Sequence, residues 1–426
     1  MSSINQTSSV LDPFQGETED SVHGWLKSVG FSFDPFSHLE ASADSRLSTY
    51  LVGHEAFAIA WGDWPTFVFA LAGGGKTALR ARVAQACWIG QETNRPFPLP
   101  YMLPFLQWGH VKPSLDEHLT ALSRSGALHL LLTLAHRPHW FMRLDEAGRQ
   151  AVRQSLDWNL PGPLAAYLAP CREEGTLNPL RERFPPASLP PDPPDADALL
   201  DFCQGLEHTH SSSSFSPPAE ARWEGLLDVL LDVLHLPAVY ILLDGLDGVG
   251  ETADDPAAAV YCLSSLMPFI PEWTKRRVYF KAFIPIETRP ILEREYPIII
   301  EASQIVALEW TPALLAEVVR RRVYVASEGA YGSLGPLASP DIRDIETVLA
   351  KASLPLPREI LVLTRRVLFE RARRTGISPK LQSEDVEFAI QWYQGNKPQG
   401  LKITDCTLST VPRIDSVSFF GGNTYE

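Results

Sequence analysis

The sequence predicts an α/β protein, a parallel sheet flanked by helices and followed by an all-helical unit. Three observations carry this. Short apolar runs at 66–71, 238–243, 277–284 and 304–309 alternate with longer stretches of helical period, the alternation that builds a parallel sheet covered on both faces. The run at 238–243 is almost unbroken in its apolar character, as in a strand buried on both sides. From Thr311 onward the strand signal stops, and only segments of period 3.6 remain.

Length and charge set the frame. A chain of 426 residues is long enough for two or three domains and a substantial core. Its apolar fraction of 45% is ordinary for a globular protein. A net charge of -14 and a pI near 5.3 argue against a surface made for nonspecific nucleic-acid binding. The five cysteines, Cys87, Cys171, Cys203, Cys262 and Cys406, are scattered without C-x-x-C spacing. That fits free thiols in a reducing compartment and no zinc site. No apolar run is long enough to span a bilayer, and residues 1–20 are polar and acidic with no apolar core. The expectation is a cytoplasmic protein without membrane attachment.

Taken in order, residues 1–20 read as a flexible tail. Residues 21–65 place aromatic anchors (Trp25, Phe31, Phe33, Phe36, Phe57, Trp61) among turn formers and are expected to wrap the edge of the following sheet domain, which extends to 310. The first strand, 66–71, is followed by a helix at 76–88. A second strand, at 100–107, contains prolines, which suit a sheet edge. Apolar periodicity predicts helices at 114–136 and 145–158. Residues 161–218 are rich in proline and carry the serine run Ser211 to Ser214. They read as an insertion with loose ends and one short helix at 195–208. A helix at 219–235, the strand 238–243, a helix at 256–269 and the strands 277–284 and 304–309 complete the sheet. Helices at 311–327, 341–352, 356–375 and 382–394 form a helical lid unit over 311–395, and 396–426 is a polar tail.

The chemistry concentrates where the first strand ends. Phe67 to Leu71 is apolar; Ala72-Gly73-Gly74-Gly75-Lys76-Thr77-Ala78 follows, and a helix begins. A strand that empties into glycines and restarts as a helix leaves several backbone N–H groups pointing one way. With the helix N-terminus and a lysine they make a seat for phosphate. Lys76 would reach the outer phosphates and Thr77 would meet magnesium. The spacing departs from G-x-x-x-x-G-K-[ST] at its first glycine, where Ala70 stands. A small residue there predicts an altered loop entry and a retained site. Asp244, at the carboxyl end of the strand 238–243, lies where open α/β sheets bind ligands. It is the candidate second anchor for the metal. Asp247 is the candidate for orienting a water, with Glu251 as the alternative. Thr288 and Arg289, after the strand 277–284, are candidates to sense the outer phosphate.

These pieces together resemble the AAA+/STAND group of P-loop ATPases. The resemblance rests on A-L-A-G-G-G-K-T (70–77), on V-Y-I-L-L-D-G-L-D (239–247), which looks like the NACHT-type members, and on the helical unit after the sheet. It covers about 66–380. Leu356-Pro357-Arg358 resembles a lid-helix start in which a proline contacts the nucleotide and an arginine reaches the phosphates. The resemblance implies ATP and Mg2+ as ligands, slow hydrolysis, and a switch in which triphosphate and diphosphate favour different lid angles. It also implies self-association or a separate protein partner, with Arg289, Arg294 and Arg320 to Arg322 as possible donors of an intermolecular arginine. Gly248 stands where many relatives place a second acid, which argues for slow turnover. Two alternatives follow from other residues. The arginine-rich stretch 358–374 suits an ATPase that acts on DNA, such as a loader or transposition helper. The unusual acid pattern suits a non-hydrolysing, nucleotide-bound scaffold.

Overall fold

The computed structural model describes residues 19–88, 94–102, 113–160, 164–183, 193–207, 217–247, 252, 255–374 and 380–396. Five parallel strands form one sheet in the order β2-β3-β4-β1-β5: β1 Thr66–Ala70, β2 Phe97–Met102, β3 Val239–Asp244, β4 Val278–Pro285 and β5 Gln304–Ala307. β1 lies between β4 and β5, with Ala70 opposite Pro285 and Phe69 opposite Ala307. The loops that follow β1 and β4 therefore leave the sheet side by side at its carboxyl edge.

Side-chain alternation along the strands assigns two faces. Phe67, Phe69, Val239, Ile241 and Leu243 point into the larger core. Val68, Ala70, Tyr240 and Leu242 point into a smaller one. The smaller face is covered by α2 (Ala56–Trp61) and α3 (Lys76–Trp88), and the larger chiefly by α4 (Leu115–His136). A capping box at Ser114 and Glu117 starts α4: the Ser114 hydroxyl accepts from the Glu117 amide, and the Glu117 carboxylate accepts from the Ser114 amide. β2 is an edge strand; it begins at Phe97, earlier than the strand expected at 100–107, and positions 103–107 lie outside the described residues. The Phe97 amide donates to Ala238 across the β3 side. The amide positions of Pro98 and Pro100, of opposite parity, therefore face the open edge, where no donor is needed.

Two expectations change. Within the stretch 161–218 the described residues hold more helix than its proline content suggests, and the expected loose ends fall partly outside the described residues. Helices Leu164–Glu174, Asn178–Arg183 and Ala196–Glu207 are present, and Leu168, Cys171, Leu199 and Cys203 are buried in the larger core. Leu164, Leu168 and Cys171 fall on one helical face, a spacing that the surrounding prolines obscure. The segment expected to wrap the sheet edge is divided instead. Val22, Leu26, Phe31 and Phe36 join Leu315, Val319, Leu349, Ile360 and Val367 in the core of the helical unit, with α1 (Glu19–Ser28) lying on the helix Pro357–Arg373. The α2 portion and residues 62–65 stay on the sheet.

After β5 the chain is helical: Pro312–Ala326, Ile345–Ala352, Pro357–Arg373 and Ser383–Asn396, with one isolated bridge between Ala338 and Leu381. The fold is thus α/β with a carboxyl-terminal all-helical region. Among the described residues, no helix is long and apolar enough to cross a membrane.

Candidate phosphate-binding site at the carboxyl edge of the sheet

The loop Leu71–Gly75 joins β1 to α3. Its glycines serve different ends. Gly73 and Gly75 have φ of 75° and 92°, a left-handed backbone that glycine adopts without steric cost. Gly74 is held by space: a Cβ there would meet the Leu71 carbonyl oxygen at 2.8 Å and the Ala70 Cβ at 2.9 Å. Ala70, the departure from the usual spacing, is the last residue of β1 and is not among the positive-φ residues. Its methyl fits there and in turn restricts position 74.

Lys76 opens α3 and is buried. Its Nζ donates to the carbonyls of Ala70 and Leu71, both at 3.2 Å. It also pairs with Asp247 Oδ2 at 2.9 Å. Lys76 and Asp247, far apart in sequence, are thus in contact. Asp244 is buried at the end of β3. Its Oδ1 accepts the Gly245 amide at 2.8 Å, and its Oδ2 accepts Arg80 Nε at 3.0 Å. Thr77 is half-buried and follows Lys76 on α3, while Ala72 is exposed at the loop tip and Ala78 is half-buried. Glu251 lies outside the described residues, as does Gly248.

The helical unit meets this loop directly. The Arg358 amide donates to the Gly73 carbonyl at 3.3 Å, and Trp310 Nε1 donates to the Gly74 carbonyl at 2.8 Å. A Cβ on Gly75 would lie 3.0 Å from Trp310 Cζ2 and 3.7 Å from Pro357 Cγ. Pro357 and Arg358 therefore sit against the glycine loop. The Arg358 guanidinium, however, turns to Glu40 at 3.5 Å. Three cations around the loop, Lys76, Arg80 and Arg358, each stand against one carboxylate, Asp247, Asp244 and Glu40.

Thr288 and Arg289 follow β4 beside the loop strand, yet their polar atoms are used locally. Thr288 Oγ1 donates to the Pro285 carbonyl at 2.6 Å, and Arg289 Nε pairs with Glu293 at 2.7 Å. The other arginines named from sequence divide similarly. Arg294 pairs with Glu295, Arg320 with Asp344 and Arg321 with Glu317. Arg322, named among the possible intermolecular donors, is buried against Asp44 at 3.2 Å and donates to the Pro35 carbonyl. On the basic lid helix, Arg365, Arg366 and Arg371 are buried. Arg366 pairs with Glu370, and Arg374 pairs with Asp385.

The donor set constrains the metal. Among the described residues no group of three or more His, Cys, Asp or Glu side chains could hold an ion. Thr77 and Asp244 suit magnesium, which keeps waters and takes one or two protein groups together with phosphate oxygens. By themselves they would hold an ion only weakly. Sequence reasoning missed Arg80, Trp310 and Glu40. Arg80 lies four residues after Lys76 on one helix, so it shares its face, and that spacing was a usable signal. Trp310 and Glu40 reach the loop only through tertiary folding. No family model, no curated protein and no solved structure matches the chain.

Proposed function

We propose that this chain is an ATP-binding switch protein of the AAA+/STAND type. One observation supports the reading above the others: a glycine loop between a buried strand and a helix, with two left-handed glycines, roofed by Trp310 and Arg358 from the helical unit. A loop in that position presents backbone amides and a helix N-terminus to an anion. A roof from a second unit gives the anion a way to bias the relative position of the two.

In this mechanism Lys76 would exchange Asp247 for the outer phosphates, and Thr77 and Asp244 are the residues that would hold magnesium. Magnesium, when bound, neutralises phosphate charge. Asp247, released from Lys76, then accepts a hydrogen bond from the attacking water. Arg358 and Arg289, each now paired with a carboxylate, are the side chains that would report the outer phosphate by changing partner. The output is the lid position, read by a second copy or by a separate protein partner. The Lys76–Asp247 pair keeps the acid occupied unless a phosphate draws the lysine away, so hydrolysis depends on that exchange. The same pair supports a second reading, a nucleotide-bound scaffold that does not hydrolyse. A DNA-acting ATPase draws less support, since basic residues of the lid helix are buried or paired within the helical unit.

The test is calorimetric titration of the full chain with ATP, with and without magnesium. Magnesium-dependent binding that Lys76→Ala abolishes is the expected result; equal binding by the variant refutes the site. Multiple turnover lost in Asp247→Asn separates the hydrolysing switch from the scaffold. Stimulation by DNA or RNA at low salt would restore the nucleic-acid reading.

A further inference from the structure

Arg80 is fully buried and paired in an unusual way. Arginine carries donors on three nitrogens and commonly grips a carboxylate with two of them. Here only Nε is used, at 3.0 Å from Asp244 Oδ2. Nη1 and Nη2 are both buried without a hydrogen-bond partner. Leaving guanidinium nitrogens dry and unmatched is costly, and a one-point pair is easier to exchange than a forked one. The neighbouring His129 brings no rival charge: burial first, then Arg80 itself, pushes its pKa down to about 3. Arg80 is therefore the buried charge partner of a carboxylate that sits at the carboxyl edge of the sheet.

We propose that Arg80 is a positioning residue that stands in for the divalent cation at Asp244, so that metal enters this site only together with a triphosphate. The inference rests on the reading of Asp244 as the metal-facing carboxylate. A cation approaching Asp244 alone meets a buried positive charge a few ångströms away and gains no phosphate oxygens. Two like charges at such range, in a poorly solvated site, repel strongly. A cation arriving with a polyphosphate brings acceptors of its own. The unmatched Nη donors can turn to these as the Arg80–Asp244 pair loosens. Arg80 thus sets the order of binding and leaves Asp244 protected from free metal.

Manganese is the probe, its uptake read from the loss of free-ion signal in electron paramagnetic resonance. The wild-type chain is expected to bind little Mn2+ alone and to bind it readily with a non-hydrolysable ATP analogue. Arg80→Gln is expected to bind Mn2+ without nucleotide roughly tenfold tighter than wild type or better, about 1.4 kcal/mol. Asp244→Asn added to Arg80→Gln should remove that gain, and Arg80→Lys, which keeps the charge, should resemble wild type. A merely structural role for Arg80 would lower stability without raising metal affinity. A folded Arg80→Gln chain that binds Mn2+ no better than wild type overturns the proposal. So does wild type that binds Mn2+ equally well with and without nucleotide, a result that needs no variant to fold. Failure of the nucleotide reading is distinguishable: it appears as wild type that binds no ATP, while the nucleotide-free comparison of Arg80→Gln with wild type still stands.

Discussion

Gly75→Ala isolates the phosphate loop from the rest of the fold. Gly75 has φ of 92°, a region where an L-residue costs about 1–2 kcal/mol. Its new Cβ would sit 3.0 Å from Trp310 Cζ2, so the indole or the loop must shift by a few tenths of an ångström. Either movement disturbs the amides at 74 to 76. A hydrogen bond to a charged acceptor contributes about 1.5–3 kcal/mol. Loss of one of them weakens nucleotide binding roughly tenfold to a hundredfold. Gly30→Ala is the matched control: its φ is 94°, with no atom within 4 Å of the new Cβ. It carries similar backbone strain with no route to the loop. Both variants should lose comparable stability in urea, while only Gly75→Ala should lose ATP affinity in calorimetry. Equal affinity in a folded Gly75→Ala chain, or equal loss in both variants, refutes the argument.

Two other outcomes are expected. Burial pushes the Lys281 pKa down from 10.5 to about 7, although its Nζ reaches the carbonyls of Gly62 and Trp64 and, at 3.2 Å, the Thr66 hydroxyl. Above the folded value and below the unfolded one, the unfolded chain binds more protons, so this group makes stability rise with pH from about 7 upward, by up to a few kcal/mol. Urea titrations at about pH 7 and about pH 9 on wild type and Lys281→Met should show this slope in wild type and its loss in the variant; a wild-type slope of opposite sign relative to the variant would sink the assignment. Trp310→Phe removes the donor to the Gly74 carbonyl while keeping a ring beside Gly75. A stability loss of about 1 kcal/mol is expected by urea denaturation, and one beyond about 3 kcal/mol would show that indole packing, and not its hydrogen bond, holds the roof.

Much of the sheet was legible in the sequence because its signals are local. Unbroken apolar residues at 239–243 and the alternate exposure of Pro98 and Pro100 to an open edge depend on neighbours a few positions away. The glycine loop was legible for the same reason. The insertion was misjudged where two local signals conflicted: prolines indicated loose chain, while Leu164, Leu168 and Cys171 kept a helical face that the core buries. Arg80 was overlooked although its spacing from Lys76 was visible, because helical spacing tells which face a side chain shares and not which carboxylate it meets.

By itself the sequence determined the parallel-sheet strands, the all-helical character after Thr311 and the place of the glycine loop, since hydrophobic period and glycine conformational freedom act over a few residues. Only the tertiary structure decided that Phe31 and Phe36 belong to the helical core, that Arg80 closes on Asp244, and that Trp310 and Arg358 roof the glycine loop. These pairings join residues 164, 236 and 285 or more positions apart. Such contacts are selected by the fit of whole packed surfaces, which no short stretch of chain encodes.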